Sequence, residues 1–288
     1  MTSTESLCLQ GELFPDRFSI ELEGITYAHP EGERTVRIDE STLRYGRAYT
    51  SDPLLFDSLI ESSVGVGTHV ELLNLIRSTY AKDAPVMGVS GYATVGFSYE
   101  NEMEALENLY NHLLEAERLP GLVVDGGVSS GVLGINGLQS LMYDVPSLGV
   151  IPKQGLHRIG FRNHMAIYGD TYQDREAIIG TVPDTLLCVG GADGTRRECQ
   201  TALKYGSAVI LLALGNTHDP KSFVATYDQY EDIENAIRDG TMKVSRSVED
   251  FLADVDEALD FSRMNYDSRD FRLAALQQYF DPREGQSL

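Results

Sequence analysis

The regular alternation of short apolar runs with longer helical stretches is the feature that most limits what this chain can fold into. From Pro85 onward, apolar segments that end in glycine or polar residues are separated by stretches with helical periodicity. This alternation is typical of βαβ units, which build a parallel sheet covered by helices. The predicted strands are 86–90, 122–125, 148–151, 165–168, 186–189 and 208–214.

The intervening stretches predict helices. In 100–118, for example, Leu106, Leu109 and Leu113 recur on one helical face, which is the pattern of a helix packed against a sheet. The other predicted helices are 131–143, 174–181, one running from Thr195 to Tyr205, two acidic ones at 229–238 and 248–261, and an amphipathic one at 271–280.

The first 84 residues break this rhythm. Segments 18–27 and 34–39 flank a turn at 29–32, which predicts a β-hairpin, and 54–60 and 69–80 have helical patterns. We therefore predict two parts, a small N-terminal α+β extension over 1–84 and the main α/β domain over 85–288.

Charge and composition exclude several classes of function. The formal net charge of the 288 residues is −21 at pH 7, and proteins that bind nucleic acids or anionic membranes need a basic face. We therefore predict neither partner. A dense acidic surface fits a protein from a high-salt cytoplasm and fits an acidic mesophilic protein equally well.

The sequence also argues against export and against metal binding. No secretory leader pattern opens the chain and no apolar run approaches the length of a membrane span, so we predict a cytoplasmic protein. The three cysteines have neither disulfide-framework nor zinc spacing. We expect free thiols, no metal and no resident cofactor.

A glycine turn at 190–194 carries the clearest functional signal. The apolar run before it ends in Gly190 and Gly191, and Thr195 with Glu198 three residues later predicts a capping box at the start of a helix. Such a turn presents backbone N–H groups beside the positive end of the helix dipole, which suits a phosphate. The predicted ligand-binding residues here are Gly191, Asp193, Gly194, Thr195 and Arg196.

A second glycine turn follows the strand at 122–125. Gly126, Gly127 and Gly131 allow close approach of either a ligand or a packed helix, and Ser129 and Ser130 have the chemistry to bind phosphate or to cap the helix. Ser90 and Gly91 end the first strand of the main domain, where an open α/β sheet places its ligand crevice. All seven residues are predicted to line the site.

Together the two turns resemble the LOG family and its wider SLOG superfamily. Gly190 to Glu198 aligns without a gap to the family's Pro-Gly-Gly-x-Gly-Thr-x-x-Glu motif, Gly126 to Gly134 to its first glycine motif, and Arg175 to its conserved helix arginine. The resemblance covers about residues 85–250. It implies a Rossmann-like three-layer fold and a homodimer or higher homo-oligomer.

The same resemblance implies a nucleotide or nucleotide-derived small molecule as the ligand. In the catalytic members, Arg175 and Glu198 would be the residues that cleave the N-glycosidic bond of a nucleoside 5′-monophosphate. The alternative is a non-catalytic binder or sensor of a nucleotide-derived ligand, or a carrier of a nucleotide-like cofactor such as molybdenum cofactor. A third alternative is a partner-binding protein built on an inactive core.

The departures from the family motifs matter. Ala192 replaces a glycine, Gly190 replaces a proline, and Glu176 replaces the lysine that follows the arginine. Asp193 adds a carboxylate near the expected phosphate, which Arg196 and Arg197 would offset. Two cations in the first turn of a helix suggest an anionic partner close by, and the alternative is that they pair with Asp193 or with the acidic surface. For Arg175, the alternative to a ligand role is an ion pair with Asp174 or Glu176.

Two other features are weaker signals. The segment from Gly65 to Glu71 repeats the glycine-threonine-glutamate spacing, but no apolar strand precedes it, so it is predicted to cap a helix. His157, Arg158, Arg162 and His164 follow the strand at 148–151 and are predicted to lie in a surface loop, with a place beside the crevice as the alternative.

Overall fold

In the computed structural model, the described residues are 18–21, 24–29, 32–37, 69–93, 100–214, 231–264 and 266–280. The N-terminal part contains three strands, β1 (Phe18–Glu21), β2 (Gly24–His29) and β3 (Gly32–Arg37), in an antiparallel sheet of order β1-β2-β3. The predicted hairpin is therefore a three-stranded meander, because the first predicted strand, 18–27, corresponds to two strands that pair antiparallel. The predicted helix at 54–60 and the Gly65 to Thr68 turn lie outside the described residues.

The main domain is built on a seven-stranded sheet in which every pairing is parallel. Six strands were predicted from the apolar runs and are confirmed with small shifts of their ends. The seventh, β10, was missed because its four residues include Lys243 and have no long apolar run. The strands are β4 (Val86–Gly91), β5 (Leu122–Asp125), β6 (Ser147–Ile151), β7 (His164–Ile167), β8 (Thr185–Val189), β9 (Ala208–Leu212) and β10 (Met242–Ser245).

Helices cover both faces of this sheet. The helices are α1 (His69–Ala81), α2 (Glu100–Glu115), α3 (Gly131–Met142), α4 (Tyr172–Thr181), α5 (Asp193–Lys204), α6 (Glu231–Asp239), α7 (Val248–Met264) and α8 (Tyr266–Phe280). One core joins α1, α4, α5, α6 and α8 to the sheet, and the other joins α2, α3 and α7 to its opposite face. The predicted three-layer Rossmann-like α/β architecture is confirmed. Within the described ranges, none of these helices combines the length and apolar character that crossing a membrane would require.

Helix α1 falls in the sequence assigned above to the N-terminal extension, yet it packs against the main sheet. Leu72 and Ile76 are fully buried in the α4 side of the core. The Tyr80 hydroxyl donates a hydrogen bond to the carbonyl of Val182. The boundary at residue 84 stays a prediction about domains, while the contacts of α1 are those of a core helix.

A buried charge cluster ties α8 to the amino edge of the sheet. Asp184, just before β8, accepts hydrogen bonds from the Val86 backbone N–H and from the guanidinium groups of Arg269 and Arg272. The Arg269 guanidinium also lies 5.0 Å from the centre of the Tyr80 ring, a cation–π distance. The predicted last helix began at 271, so its first turn, including Arg269, was missed.

The strand order β10-β9-β8-β4-β5-β6-β7 places a topological switch point between β4 and β8. From β4 the chain moves outward to β7, and it then returns to the other side of β4 as β8. The loops that leave β4 and β8 therefore diverge at the carboxyl edge, and a crevice opens between them. Ser90 and Gly190 lie at this point, so the fold brings the predicted site residues of both strands to one edge.

Candidate functional site

The glycine turn after β8 leads into α5 two residues earlier than predicted. Gly190 and Gly191 have φ angles of 63° and 132°, which a side chain would oppose. Helix α5 begins at Asp193, and its N-cap residue, Ala192, has no side chain that caps the helix. The predicted capping box of Thr195 and Glu198 is therefore wrong, because both residues already lie inside the helix.

Glu198 instead turns toward the switch point. Its side chain is buried, and its Oε2 atom accepts a hydrogen bond from the Ser90 hydroxyl at the end of β4. Burial raises the pKa of Glu198 from 4.5 to about 7, although Arg175 and the Ser90 hydrogen bond act to lower it. Within the described part of the chain, its Oε1 atom accepts no hydrogen bond. Glu198 is thus a buried carboxyl group that gains or loses a proton near neutral pH.

Arg175 reaches the same edge from α4. Its side chain is buried, and Nη1 donates a 2.5 Å hydrogen bond to the carbonyl of Gly126. A Cβ atom on Gly126 would lie 2.3 Å from Nη1, so glycine is required there for the guanidinium to approach. The Arg175 Nε atom is buried and has no hydrogen-bond partner among the described residues.

The expected competing ion pairs of Arg175 are not formed. Asp174 accepts hydrogen bonds from Thr171 at the start of α4, and Glu176 pairs with Arg197 of α5 at 2.5 and 2.8 Å. Arg175 instead bonds to the Gly126 carbonyl, lies 4.9 Å from the centre of the Tyr172 ring and interacts electrostatically with Glu198.

The other arginine of the α5 start pairs locally. Nη1 of Arg196 lies 2.9 Å from Oδ1 of Asp193, whose side chain is 69% exposed. Arg196 therefore pairs with Asp193, which is the alternative that the sequence offered to an anionic partner near Arg196 and Arg197. Asp193, Gly194 and Arg196 lie at the mouth of the crevice, whereas Thr195 and Gly191 are buried beneath it.

A buried network supports the second glycine turn. Asp125 accepts a 2.8 Å hydrogen bond from the Gly127 N–H, a 2.6 Å bond from Asn136 and three bonds from Arg162. Arg162 is 4% exposed, so its placement in a surface loop was wrong. The missed signal was Asp125, a carboxylate at a buried strand end that requires a cation.

The start of α3 is occupied by the chain itself. The Val132 N–H donates to the carbonyl of Tyr92 at 2.8 Å, and the Ser130 hydroxyl donates to Ala93 at 3.0 Å. Arg158 in turn donates a 2.7 Å hydrogen bond to the Ser130 hydroxyl. Ser129, Ser130 and Gly131 therefore border the crevice with several of their polar groups already used.

The start of α5 differs in this respect. No described residue outside α5 accepts a hydrogen bond from the N–H groups of Gly194 or Thr195, and the first N–H groups of a helix have no partner inside it. Of the two helix starts named in the prediction, α5 is therefore the one whose first N–H groups have no acceptor among the described residues outside the helix.

Two further observations bound the chemistry. Cys188 and Cys199 are buried thiols outside any disulfide, with their Sγ atoms 3.2 Å apart. The described ranges hold no group of three side chains suited to a metal ion.

A cavity of about 960 Å³ lies elsewhere, near the amino ends of β9 and β10, and its lining includes none of Ser90, Arg175 and Glu198. We place the site at the switch point because the convergent polar groups lie there.

These features define a Rossmann-like α/β protein with a ligand crevice at the switch point of its sheet. The model of the SLOG cluster4 family matches residues 85–243, which is more than half of the chain. The chain therefore belongs to the SLOG cluster4 family, and the resemblance drawn from its glycine motifs is confirmed at the level of the superfamily.

Two solved structures are similar to part of the chain at low identity. The molybdenum cofactor carrier protein from Chlamydomonas reinhardtii is 22% identical, with 62% of this chain and 99% of that chain covered and a TM-score of 0.47. The molybdenum cofactor binding protein from Rippkaea orientalis is 17% identical, with 60% and 96% covered and a TM-score of 0.45. No curated protein matches the chain. These likenesses do not identify the ligand of this chain.

Proposed function

We propose that the crevice binds a nucleotide or nucleotide-derived small molecule, whose anionic part lies between Arg175 and the start of α5. The observation that carries this proposal is the buried guanidinium of Arg175, whose Nε has no partner among the described residues. A buried donor without a partner costs about 1–3 kcal/mol, and more when it is charged. An anionic ligand would supply the missing acceptor.

The neighbouring groups fit the same ligand. The unused N–H groups of Gly194 and Thr195 stand at the positive end of the α5 dipole, which favours an anion. The absence of a side chain on Gly126 lets the guanidinium lie against the turn, and Glu198 supplies an acceptor for a sugar hydroxyl. We extend this proposal to Ser90, Gly91, Gly127 and Gly191 as residues that shape the crevice.

The test is a binding screen with an Arg175 variant. Thermal shift and calorimetry with a panel of nucleotides, dinucleotides and molybdenum cofactor are expected to find a stabilising ligand. Arg175→Met is expected to weaken it by about 100-fold, because a hydrogen bond to a charged group contributes about 1.5–3 kcal/mol. Equal affinity in Arg175→Met and the wild type would contradict the proposal.

A second candidate function is hydrolysis of the N-glycosidic bond of a nucleoside 5′-monophosphate. It is favoured by Glu198, since a carboxyl group with a pKa of about 7 is suited to proton transfer at neutral pH. Its carboxylate form would also stabilise the oxocarbenium-like ribose. Addition of water would release free base and ribose 5-phosphate.

Product analysis separates the two candidates. The hydrolase would form free base from at least one nucleotide, and Glu198→Gln would abolish this while leaving binding measurable. A ligand that stabilises the wild type at both low and high salt without product identifies a binder. The expected homo-oligomer, a prediction from the resemblance, is tested by light scattering on the same samples.

A further inference from the structure

The carboxyl edge carries two Arg-Glu dipeptides that face each other. Arg175 and Glu176 lie on α4, and Arg197 and Glu198 lie on α5. Glu176 and Arg197 form a two-bond ion pair between the helices. The remaining pair, Arg175 and Glu198, faces the crevice and is the pair that the proposed function uses.

The ion pair is oriented with its negative end toward the start of α5. A Cβ atom built on Gly194 would lie 3.1 Å from Oε1 of Glu176, and no atom of the Arg197 side chain lies within 4 Å of that point. The Glu176 side chain is 7% exposed, whereas that of Arg197 is 41% exposed. The carboxylate is therefore held near the helix start, while the guanidinium is shared with solvent.

This orientation makes the pair act as a net negative charge on the site. At Glu198, the effect of Glu176 in raising the pKa is larger than the effect of Arg197 in lowering it. An exposed charge is screened by water and salt, but a buried one is not. Asp193 adds a second, exposed carboxylate at the same helix start, which Arg196 offsets.

A phosphate bound at this helix start would carry one or two charges according to its chemistry. A phosphomonoester has a second pKa of about 6, so it carries nearly two negative charges above neutral pH. A phosphodiester carries only one. The buried Glu176 carboxylate repels the second charge, and the family's lysine at this position would have attracted it.

We propose that Glu176 determines ligand charge, so that the site prefers a nucleotide whose phosphates are singly charged diesters to a 5′-monophosphate. Cyclic nucleotides and pyrophosphate-bridged dinucleotides have this chemistry. The inference rests on the proposed function, because it concerns the ligand of the same crevice.

The experiment compares each of the four common ribonucleoside 5′-monophosphates with the 3′,5′-cyclic monophosphate of the same base, by calorimetry on the full chain. At about pH 7.5, the wild type is expected to bind at least one cyclic nucleotide about tenfold more tightly than its monophosphate, equivalent to about 1.4 kcal/mol. Glu176→Gln, which retains an oxygen acceptor for Arg197, is expected to reduce this ratio toward one. The matched control Glu234→Gln removes an exposed carboxylate from α6 and is expected to leave the ratio unchanged.

A second measurement changes the pH. At about pH 5 the monophosphate becomes mostly singly charged, but Glu198 also gains its proton over this range. The measurement is therefore made in Glu198→Gln, in which the ratio is expected to narrow at pH 5. If the wild type binds monophosphates as tightly as cyclic nucleotides at pH 7.5, or if neither Glu176→Gln nor acid narrows the ratio, the inference is overturned and the proposed function stands. If a dinucleotide binds and the monophosphates do not, the inference is supported. If no nucleotide, dinucleotide or molybdenum cofactor binds, the proposed function is contradicted and the inference fails with it.

Discussion

Asp184 and Glu198 are two buried carboxyl groups at opposite edges of one sheet, with 3% and 4% of their surfaces exposed. Asp184 accepts hydrogen bonds from a backbone N–H and two guanidinium groups, whereas Glu198 accepts one bond, from Ser90. A buried charge that is fully paired serves to hold the fold. A buried carboxyl group with one partner is left available for a ligand or a proton.

The arginines at the two edges show the same difference. Arg269 donates to Asp184, Asp83 and the carbonyls of Tyr80 and Ala84. Arg175 donates to the Gly126 carbonyl and leaves Nε without a partner in the part of the chain that the structure describes. Nε of Arg272 is likewise buried without a partner among the described residues, so the difference lies in the carboxylate: Asp184 pairs directly with Arg269 and Arg272, whereas Arg175 bonds to a backbone carbonyl.

The largest effect is expected from Asp184→Ala. Two buried guanidinium groups would lose their carboxylate, which costs about 3–5 kcal/mol of unfolding free energy. Urea denaturation measures this loss, and ligand affinity of the folded protein should be unchanged. Asp170→Ala is the control, because Asp170 and its partner Lys153 are 77% and 69% exposed and such pairs contribute at most about 1 kcal/mol. Equal losses of unfolding free energy in Asp184→Ala and Asp170→Ala would show that the paired carboxylate at the amino edge does not hold the fold.

Glu198→Gln is expected to change how stability depends on pH. Because the folded-state pKa of about 7 lies above the ordinary 4.5, the folded wild type holds its proton longer and loses stability as pH rises through that window. Glutamine does not titrate. The stability of the variant relative to the wild type should therefore increase by about 2–3 kcal/mol between about pH 5 and pH 8. Parallel pH profiles from urea denaturation would show that Glu198 is not a titrating buried group.

Two glycine substitutions compare a fixed arginine with a movable one. An added Cβ would lie 1.7 Å from Nη1 of Arg162 in Gly137→Ala and 2.3 Å from Nη1 of Arg175 in Gly126→Ala. Arg162 is locked by Asp125, so Gly137→Ala should cost about 2 kcal/mol of stability. Arg175 can shift, so Gly126→Ala should cost less than about 1 kcal/mol but weaken ligand binding about tenfold. Thermal unfolding measures the stability of both variants, and calorimetry measures their ligand affinity. A larger loss of stability in Gly126→Ala than in Gly137→Ala would refute the contrast between the two arginines.

The smallest effect is expected from Asp193→Asn. The Asp193 side chain is 69% exposed although that of its partner Arg196 is only 16% exposed, so the pair should contribute about 0.5 kcal/mol to stability. Removing the carboxylate should strengthen ligand binding only a few-fold, and added salt should erase the gain. Calorimetric titrations of the ligand at low and high salt measure this gain in affinity. A larger gain than that of Glu176→Gln for a monophosphate would show that exposed charge dominates the site.

The sequence predicted the sheet well because each buried parallel strand is a short apolar run bounded by polar residues. β10 lacks such a run, and its place beside β9 is a long-range pairing that local pattern does not encode. The start of α5 was misplaced because a threonine followed by a glutamate three residues later has the same spacing as a capping box. The structure uses that glutamate across the sheet instead.

The candidate site was predicted in part. Glycine motifs located both turns, and Arg175 and Glu198 converge on the switch point as the motif order implied. Which side chains form ion pairs was not predictable from the sequence. Glu176 pairs with Arg197, twenty-one positions away, and Arg162 pairs with Asp125, thirty-seven positions away. Such pairs depend on how helices pack, which no spacing rule along one chain reveals.

The cluster around Asp184 also shows that the segment that matches the family is shorter than the segment that folds together. The family match ends at residue 243, yet the cations that neutralise Asp184 come from α8, and Tyr80 comes from α1, which lies before the match begins. A fragment cut at the limits of the match would bury a carboxylate without its countercharges. Helices α1 and α8, which lie on either side of the family match, therefore both contribute side chains to this cluster at the amino edge of the sheet. The cooperatively folded domain thus extends beyond the match in both directions.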